Sequence, residues 1–427
     1  MPNITVSLIA LRYIVKSSLL KVARLVLTIS TVIPGIYGGS ANAQYFDLQP
    51  NRKHVTIPFR MIRDLIIIQL DINGKGPFNF IVDSGVGLML VTDPKLVDSI
   101  NVTNKRTIKI AGLGKGEDYE AYITSPLNVQ IPGLASYDVV AAILKTDHFG
   151  LTAFAGIPIH GLIGYEFFNN LAVKIDFSDS TLTVSRPKNT KFFGKANKVP
   201  IVIVNRKPYL HAKVTFTNGT KTDDKLILDL GAGHPLSLEN MIEKHGMPDK
   251  FIAANLGVGL TGPVEGFISR VNEVDIGKFK LKNVLASFPV NNKERSAESE
   301  QRDGNLGIGI LKRFTLIIDY PDSAVYLKPA LNFDDPFEHD MSGLEYYAGG
   351  DEFDHVIISR VEPGSPADVI GLEPGDEIIS INFKPVNKMT LEQIDALFKS
   401  QPDRNLLLEI FHDKYYDNVI LTLKRRI

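Results

Sequence analysis

Two acidic residues end apolar runs in the same local setting. Asp83 closes Phe80-Ile81-Val82 and leads into Ser84-Gly85-Val86-Gly87. Asp229 closes Leu226-Ile227-Leu228 and leads into Leu230-Gly231-Ala232-Gly233. A carboxylate pressed against an apolar strand is costly unless it is hydrogen-bonded or shares a proton. The glycine two residues on lets the backbone turn sharply beneath it. Two such groups brought face to face cannot both ionise cheaply, so one proton serves the pair. One member then takes a proton from water while the other donates to an electrophile, general acid–base chemistry worth about 10²–10⁴-fold.

A lone strand-Asp-x-Gly string also ends ordinary hairpins; the repetition singles these two out. Upstream of Asp83 runs the alternating Ile68-Gln69-Leu70-Asp71-Ile72, then Asn73-Gly74; upstream of Asp229 runs Ala212-Lys213-Val214-Thr215-Phe216, then Asn218-Gly219. Asn-Gly between apolar alternations predicts a hairpin whose second strand delivers the acid. Downstream, Gly161-Leu162-Ile163-Gly164 leads to a strand ending at Asp176, and Gly304-Asn305-Leu306-Gly307 leads, over the same distance, to one ending at Asp319. Two copies of one architecture each supply one aspartate.

With these residues in place, the chain resembles the aspartic proteases. It is most similar to the retropepsin-like, two-lobed aspartyl proteases of bacteria that carry a C-terminal PDZ domain. The resemblance covers roughly 50–427 and implies a mainly β fold of two pseudo-symmetric β-barrel lobes. Asp83 and Asp229 are then catalytic, in loops formed by Ser84, Gly85, Leu230 and Gly231 and supported by Gly164 and Gly307. The Asp-Ser-Gly string fits the family motif fully and Asp229-Leu230-Gly231 only in part. In the family, the hydroxyl after the acid bonds to the opposite loop; Ser84 has one and Leu230 has none. Glycine-rich hairpins at Gly112, Gly114 and Gly116, and at Gly257 and Gly259, correspond to the flaps that close over the cleft. A phosphate loop is a poor reading of them, since no Lys-Ser/Thr and no helix pattern follows.

The chain has 427 residues, is 44% hydrophobic, and has a formal net charge of −1. That length allows two or three cored domains. Near-zero charge without a basic face argues against nucleic-acid binding. There is no cysteine, hence no disulfide framework and no thiol nucleophile. The nine histidines are scattered without ligand spacing, so neither a metal nor an organic cofactor is expected. His234 reads as a surface or satisfied histidine, and no Gly-x-Ser-x-Gly string supports a serine triad. At the start, Arg12, Lys16, Lys21 and Arg24 precede an apolar run at 25–37 and Ala41-Asn42-Ala43. This reads as a cleaved export signal over 1–43, and the run is short for a membrane span. The mature protein is expected to be periplasmic or secreted, with no stable membrane anchor.

The expected order is lobe 1 over 44–190, lobe 2 over 191–335 and a separate unit over 340–427. Residues 291–303 read as a charged, solvated loop. In the last unit, Pro363-Gly364-Ser365-Pro366-Ala367, Gly371-Leu372 and Pro374-Gly375-Asp376-Glu377-Ile378-Ile379-Ser380-Ile381-Asn382 resemble a bacterial PDZ domain, an α+β fold. Thr390-Leu391-Glu392-Gln393 forms a capping box that opens a helix. A PDZ groove binds a peptide by strand addition beside such a helix. The expected groove residues are Leu344, Val356, Ile357, Ile358, Ile394 and Leu397, with 355–361 as the receiving strand. Glu345 sits where the carboxylate-binding turn of the family commonly has glycine, which speaks against capture of a terminal carboxylate. The combined reading is an aspartic endopeptidase acting on peptide or protein substrates, with a PDZ domain for peptide or partner binding. The alternative, favoured by Leu230, is a catalytically weak or inactive peptide-binding protein.

Overall fold

A computed structural model describes residues 45–427 except 103–104, 111–118, 191–196, 240, 260–261 and 291–300. The expected export signal, the glycines Gly112, Gly114 and Gly116, and most of the charged insertion fall outside the described residues. The fold is mainly β, with curled sheets of eleven and eight strands, a six-stranded sheet between them, and a further six-stranded sheet in the C-terminal unit.

The repeat is visible strand by strand. In lobe 1 the hairpin Leu65–Ile72 and Lys75–Val82 delivers Asp83. In lobe 2 the hairpin Lys207–Thr215 and Lys221–Asp229 delivers Asp229. A short strand then lies parallel to each acid-bearing strand, Gly161–Ile163 against Phe80 to Val82 and Gly304–Gly307 against Leu226 to Asp229. Each short strand also pairs antiparallel with a third, Met89–Val91 and Leu236–Leu238. Strands buried on both faces read as continuous apolar runs, which is why Phe80-Ile81-Val82 and Leu226-Ile227-Leu228 have no polar interruption.

The hairpin turns differ. Asn73 and Gly74 both have positive φ, 51° and 73°, as a two-residue turn of the twist-compatible kind requires. At Asn218-Gly219 only the glycine does, at 84°. There Phe216 N–H donates to Thr220 O at 2.8 Å, closing a longer loop. Two further turns repeat as a pair. Arg63-Asp64 joins Arg60–Ile62 to Leu65–Ile72, and Asn205-Arg206 joins Val202–Val204 to Lys207–Thr215. All four residues have positive φ, between 46° and 66°.

The central sheet belongs to both lobes. Its strands run Lys198–Pro200, Ala324–Pro329, Phe314–Asp319, Ala172–Asp176, Thr181–Ser185 and His54–Pro58. One apolar core runs from Phe46 through both lobes to Phe337, and a second runs from Met341 to Leu423 in the C-terminal unit. In that unit the sheet order is Leu344–Gly349, His355–Val361, Glu377–Ile381, Asn405–His412 and Tyr415–Thr422. Thr390 accepts from Gln393 N–H and Gln393 reaches back to Thr390 N–H, so the expected capping box opens the helix Leu391–Phe398.

This order corrects the expected groove. His355–Val361 is an interior strand with neighbours on both sides, so it has no free edge for a peptide. Val356 and Ile358 are core residues, and Ile357 shares their strand. The edge strand beside the helix is Leu344–Gly349, where the Tyr346 ring packs edge-on against Phe398 at 5.7 Å. Leu344, Ile394 and Leu397 remain in the packing between that strand and the helix.

Candidate active site

The two acid loops meet. Asp83 and Asp229 are 8% and 9% exposed, and the carboxyl group of each lies against the loop of the other. Each loop folds back on its own acid: Gly85 N–H donates to Asp83 Oδ1 at 2.7 Å and Gly231 N–H to Asp229 Oδ1 at 3.0 Å. The glycines are required by space. A Cβ on Gly85 would sit 2.8 Å from Asp229 Oδ1, and one on Gly231 would sit 2.2 Å from Asp83 Oδ2. Each glycine therefore faces the carboxyl group of the other lobe, and any side chain there would push the pair apart.

Gly164 and Gly307 lie under the loops. A Cβ on Gly164 would meet the carbonyls of Asp83 and Val86 at 2.3 Å; on Gly307 it would meet His234 O at 2.0 Å and Ala232 O at 2.7 Å. Asp83 N–H is held by Ile163 O at 2.9 Å. Between the loops, Ser84 Oγ donates to Leu228 O at 2.6 Å and accepts from Leu230 N–H at 3.0 Å. Leu230 itself is fully buried in the main core. The tie between the loops is made from one side only.

Burial pushes the Asp83 carboxyl well above the usual range, and the neighbouring Asp229 carboxylate pushes the same way. The Gly85 N–H and the Lys207 cation oppose this. Asp229 has an additional donor, Asn305 Nδ2 to Oδ2 at 2.7 Å. The position equivalent to Asn305 in lobe 1 is Leu162, so each lobe contributes one polar group that the other lacks.

Several neighbours carry no motif. Lys207 lies within electrostatic reach of both carboxyl groups; burial and the Arg302 cation hold its ammonium below the usual range, and the two acids oppose that. Arg302 pairs with buried Glu239 at 2.9 Å and also feels Asp229. The buried Tyr320 hydroxyl has no hydrogen-bond partner among the described residues, and burial then Asp83 raise its pKa. His234 is neither exposed nor satisfied: its Nε2 is buried without a partner among the described residues, and burial lowers its pKa against the pull of Asp229. Of the flap expectation, Gly257 and Gly259 lie in the hairpin Ile252–Gly259 and Gly262–Ile276, which carries a bulge between Asn255 and Val258. No group of three or more metal-ligating side chains occurs among the described residues.

Glu166 lies on the short helix Tyr165–Phe168 that follows Gly164. It is fully buried, and neither carboxylate oxygen has a hydrogen-bond partner among the described residues. Arg206 Nη1 stands 3.9 Å away. Burial raises this carboxyl to about 7, from 4.5 when unfolded. The stability it contributes is therefore fully present below about pH 4.5 and is lost as pH rises towards 7, roughly 3 kcal/mol in all. Glu166→Gln is expected to flatten the fall of the urea midpoint between pH 4.5 and 7.5. An unchanged slope would place that proton elsewhere.

Comparison with known proteins finds two domains in this chain. Residues 68–167 match the aspartyl protease family model, a span that holds Asp83, Ser84, Gly85 and Gly164 but not Asp229. Residues 357–410 match the PDZ domain model. Among curated proteins, the chain is similar to a human protein named tyrosine-protein phosphatase non-receptor type 4, 34% identical over 89 residues, covering 20% of this chain and 10% of that protein. It is also similar to the carboxy-terminal processing protease CtpA of Bacillus subtilis, 28% identical over 125 residues, covering 29% of this chain and 26% of that protein. The chain thus spans about a tenth and a quarter of these relatives. Two solved structures are similar over short stretches. A photosystem II D1 C-terminal processing protease has a TM-score of 0.19 at 21% identity, covering 21% of this chain and 23% of that one. A PDZ domain protein from Parabacteroides distasonis has a TM-score of 0.18 at 22% identity, covering 20% of each chain. The chain therefore carries a retropepsin-like aspartyl protease domain and, C-terminal to it, a PDZ domain.

Proposed function

We propose that this chain is an aspartic endopeptidase whose catalytic pair is Asp83 and Asp229. The observation that carries the reading is the placement of these two buried carboxyl groups, each facing the glycine of the opposite loop. In the resting pair Asp83 holds the shared proton, favoured by its burial and by the charge of its neighbour. A water between the two groups gives a proton to the Asp229 carboxylate as its oxygen bonds to the scissile carbonyl carbon. The Asp83 proton passes to the carbonyl oxygen, giving a neutral gem-diol. Collapse breaks the C–N bond: the amine leaves with the proton held by Asp229, and a gem-diol hydroxyl returns its proton to Asp83. Atoms and charge balance without a metal. The substrates are peptides or proteins laid in the cleft, and the PDZ domain binds a peptide or protein partner.

Export belongs to the same reading. Residues 1–43 act as a signal removed after Ala43, and the mature chain works in the periplasm or outside the cell. N-terminal sequencing of the exported protein is expected to begin at Gln44; a retained Met1 in a membrane fraction would defeat this part.

A second reading rests on Leu230. Because only Ser84 ties the loops, a weak or inactive peptide-binding protein is the competing function. A 1 Å misplacement costs about 10²-fold in rate, so a one-sided tie bears on turnover more than on stability. Cleavage of a broad peptide library across pH 3 to 8 separates the two. Asp83→Asn is expected to lower the rate by about 10²–10⁴-fold with the fold intact. Leu230→Thr is expected to raise turnover, since its hydroxyl would reach the lobe 1 loop as Ser84 reaches Leu228. If neither the parent nor folded Leu230→Thr cleaves any peptide, the binding reading replaces the enzymatic one.

A further inference from the structure

The PDZ edge strand is already engaged by the chain itself. Its Tyr346 carbonyl, at the place where an added strand would bond, accepts from Arg63 Nη1 of lobe 1 at 3.0 Å. The same guanidinium forms a fork on Asp395 of the PDZ helix, Nε to Oδ2 at 3.1 Å and Nη2 to Oδ1 at 3.2 Å. It lies between the rings of Phe154 and Tyr346, 4.4 and 4.8 Å from their centroids. Arg63 N–H also donates to Glu392 Oε1 at 3.0 Å. Two-pronged pairing of arginine with carboxylate is among the stronger and more directional polar contacts.

Two more groove elements are taken. After the helix Leu151–Ala155, Gly156 comes between the edge strand and the PDZ helix. A Cβ there would sit 3.3 Å from Ala348 Cβ and 3.4 Å from Leu391 Cδ1. The turn that would hold a ligand carboxylate gives the N–H groups of Ser342 and Gly343 to Asp340 Oδ1 at 2.9 and 2.7 Å, and Leu344 N–H to Ser342 Oγ at 3.0 Å. Glu345, which replaces the usual glycine, is bound by Arg360 at 2.6 Å and by Asn255 of the lobe 2 hairpin at 3.1 Å. Its departure from the motif therefore serves docking on lobe 2.

We propose that the PDZ domain is an intramolecular clasp: the Arg63 turn and the segment around Gly156 fill the place of a strand-adding peptide, and an extended peptide binds only by displacing them. The proposal rests on the PDZ assignment and these contacts, and stands or falls independently of whether the aspartates cleave peptides. Amide hydrogen exchange on the full chain tests it, with the parent, Arg63→Glu and Asp395→Asn compared. Both variants are expected to speed exchange at least tenfold in 344–349, while the strands 65–82 and 207–229 keep the parent rate. Unchanged exchange in 344–349 in either variant would overturn the clasp. So would equal acceleration in the lobe strands, since the ion pair would then belong to the global fold and not to a separable contact.

Discussion

The two lobes bring two nearly buried carboxyl groups to facing loops. Such an approach is unfavourable by itself, since burial and like charge both oppose ionisation. The fold answers with N–H donors from Gly85 and Gly231 and with the Asn305 amide on Asp229. It also removes what would keep the groups apart. The glycine opposite each acid leaves room that a methyl group would fill, and the glycines beneath let the short parallel strands press against the loops. These strands can press because they are flanked on both sides within one sheet.

The two halves repeat in backbone and diverge in chemistry. Ser84 ties the loops where Leu230 packs into the core, and Asn305 reaches an acid where Leu162 stays apolar. Divergence also separates the equivalent turns. Asn205-Arg206 crosses onto lobe 1, with Arg206 3.9 Å from Glu166. Arg63-Asp64 crosses the other way, with Asp64 2.6 Å from Lys312 of lobe 2, and its arginine turns to the PDZ domain. One structural position thus became a brace beside the acid loop in one copy and a docking point in the other.

Much of this was legible in the sequence because it is local and repeated. The alternation before Asn73-Gly74, the apolar run into each aspartate and the evenly spaced glycine strands each carry a short-range signal. At Asn218 the expected hairpin forms through a longer loop than at Asn73, because Asn-Gly marks a turn without fixing its length. The PDZ motifs marked the domain but not which strand lies at the edge, since strand order depends on pairing between distant residues. Lys207, Tyr320, Glu166 and Arg63 gave no signal at all. Their roles come from what the fold packs beside them, and a lysine or arginine at a hairpin start looks the same whether it faces solvent or a carboxylate.

The central sheet carries the twofold relation of the two lobes at its middle. Ala172–Asp176 and Phe314–Asp319 are equivalent strands lying antiparallel, paired Ala172 to Asp319, Val173 to Ile318, Lys174 to Ile317 and Ile175 to Leu316. That register is the one two identical strands adopt across a twofold axis, and the axis passes between Lys174 and its own counterpart, Ile317. In a dimer of identical halves, whatever stands there must face itself, and lysine would set two like charges directly opposite, which is destabilising. Joining the halves in one chain lifts that restriction. Lys174 keeps its charge and pairs with Asp176 at 3.1 Å, while its counterpart is a buried isoleucine. The middle of the sheet is therefore a position only a fused chain can fill in this way.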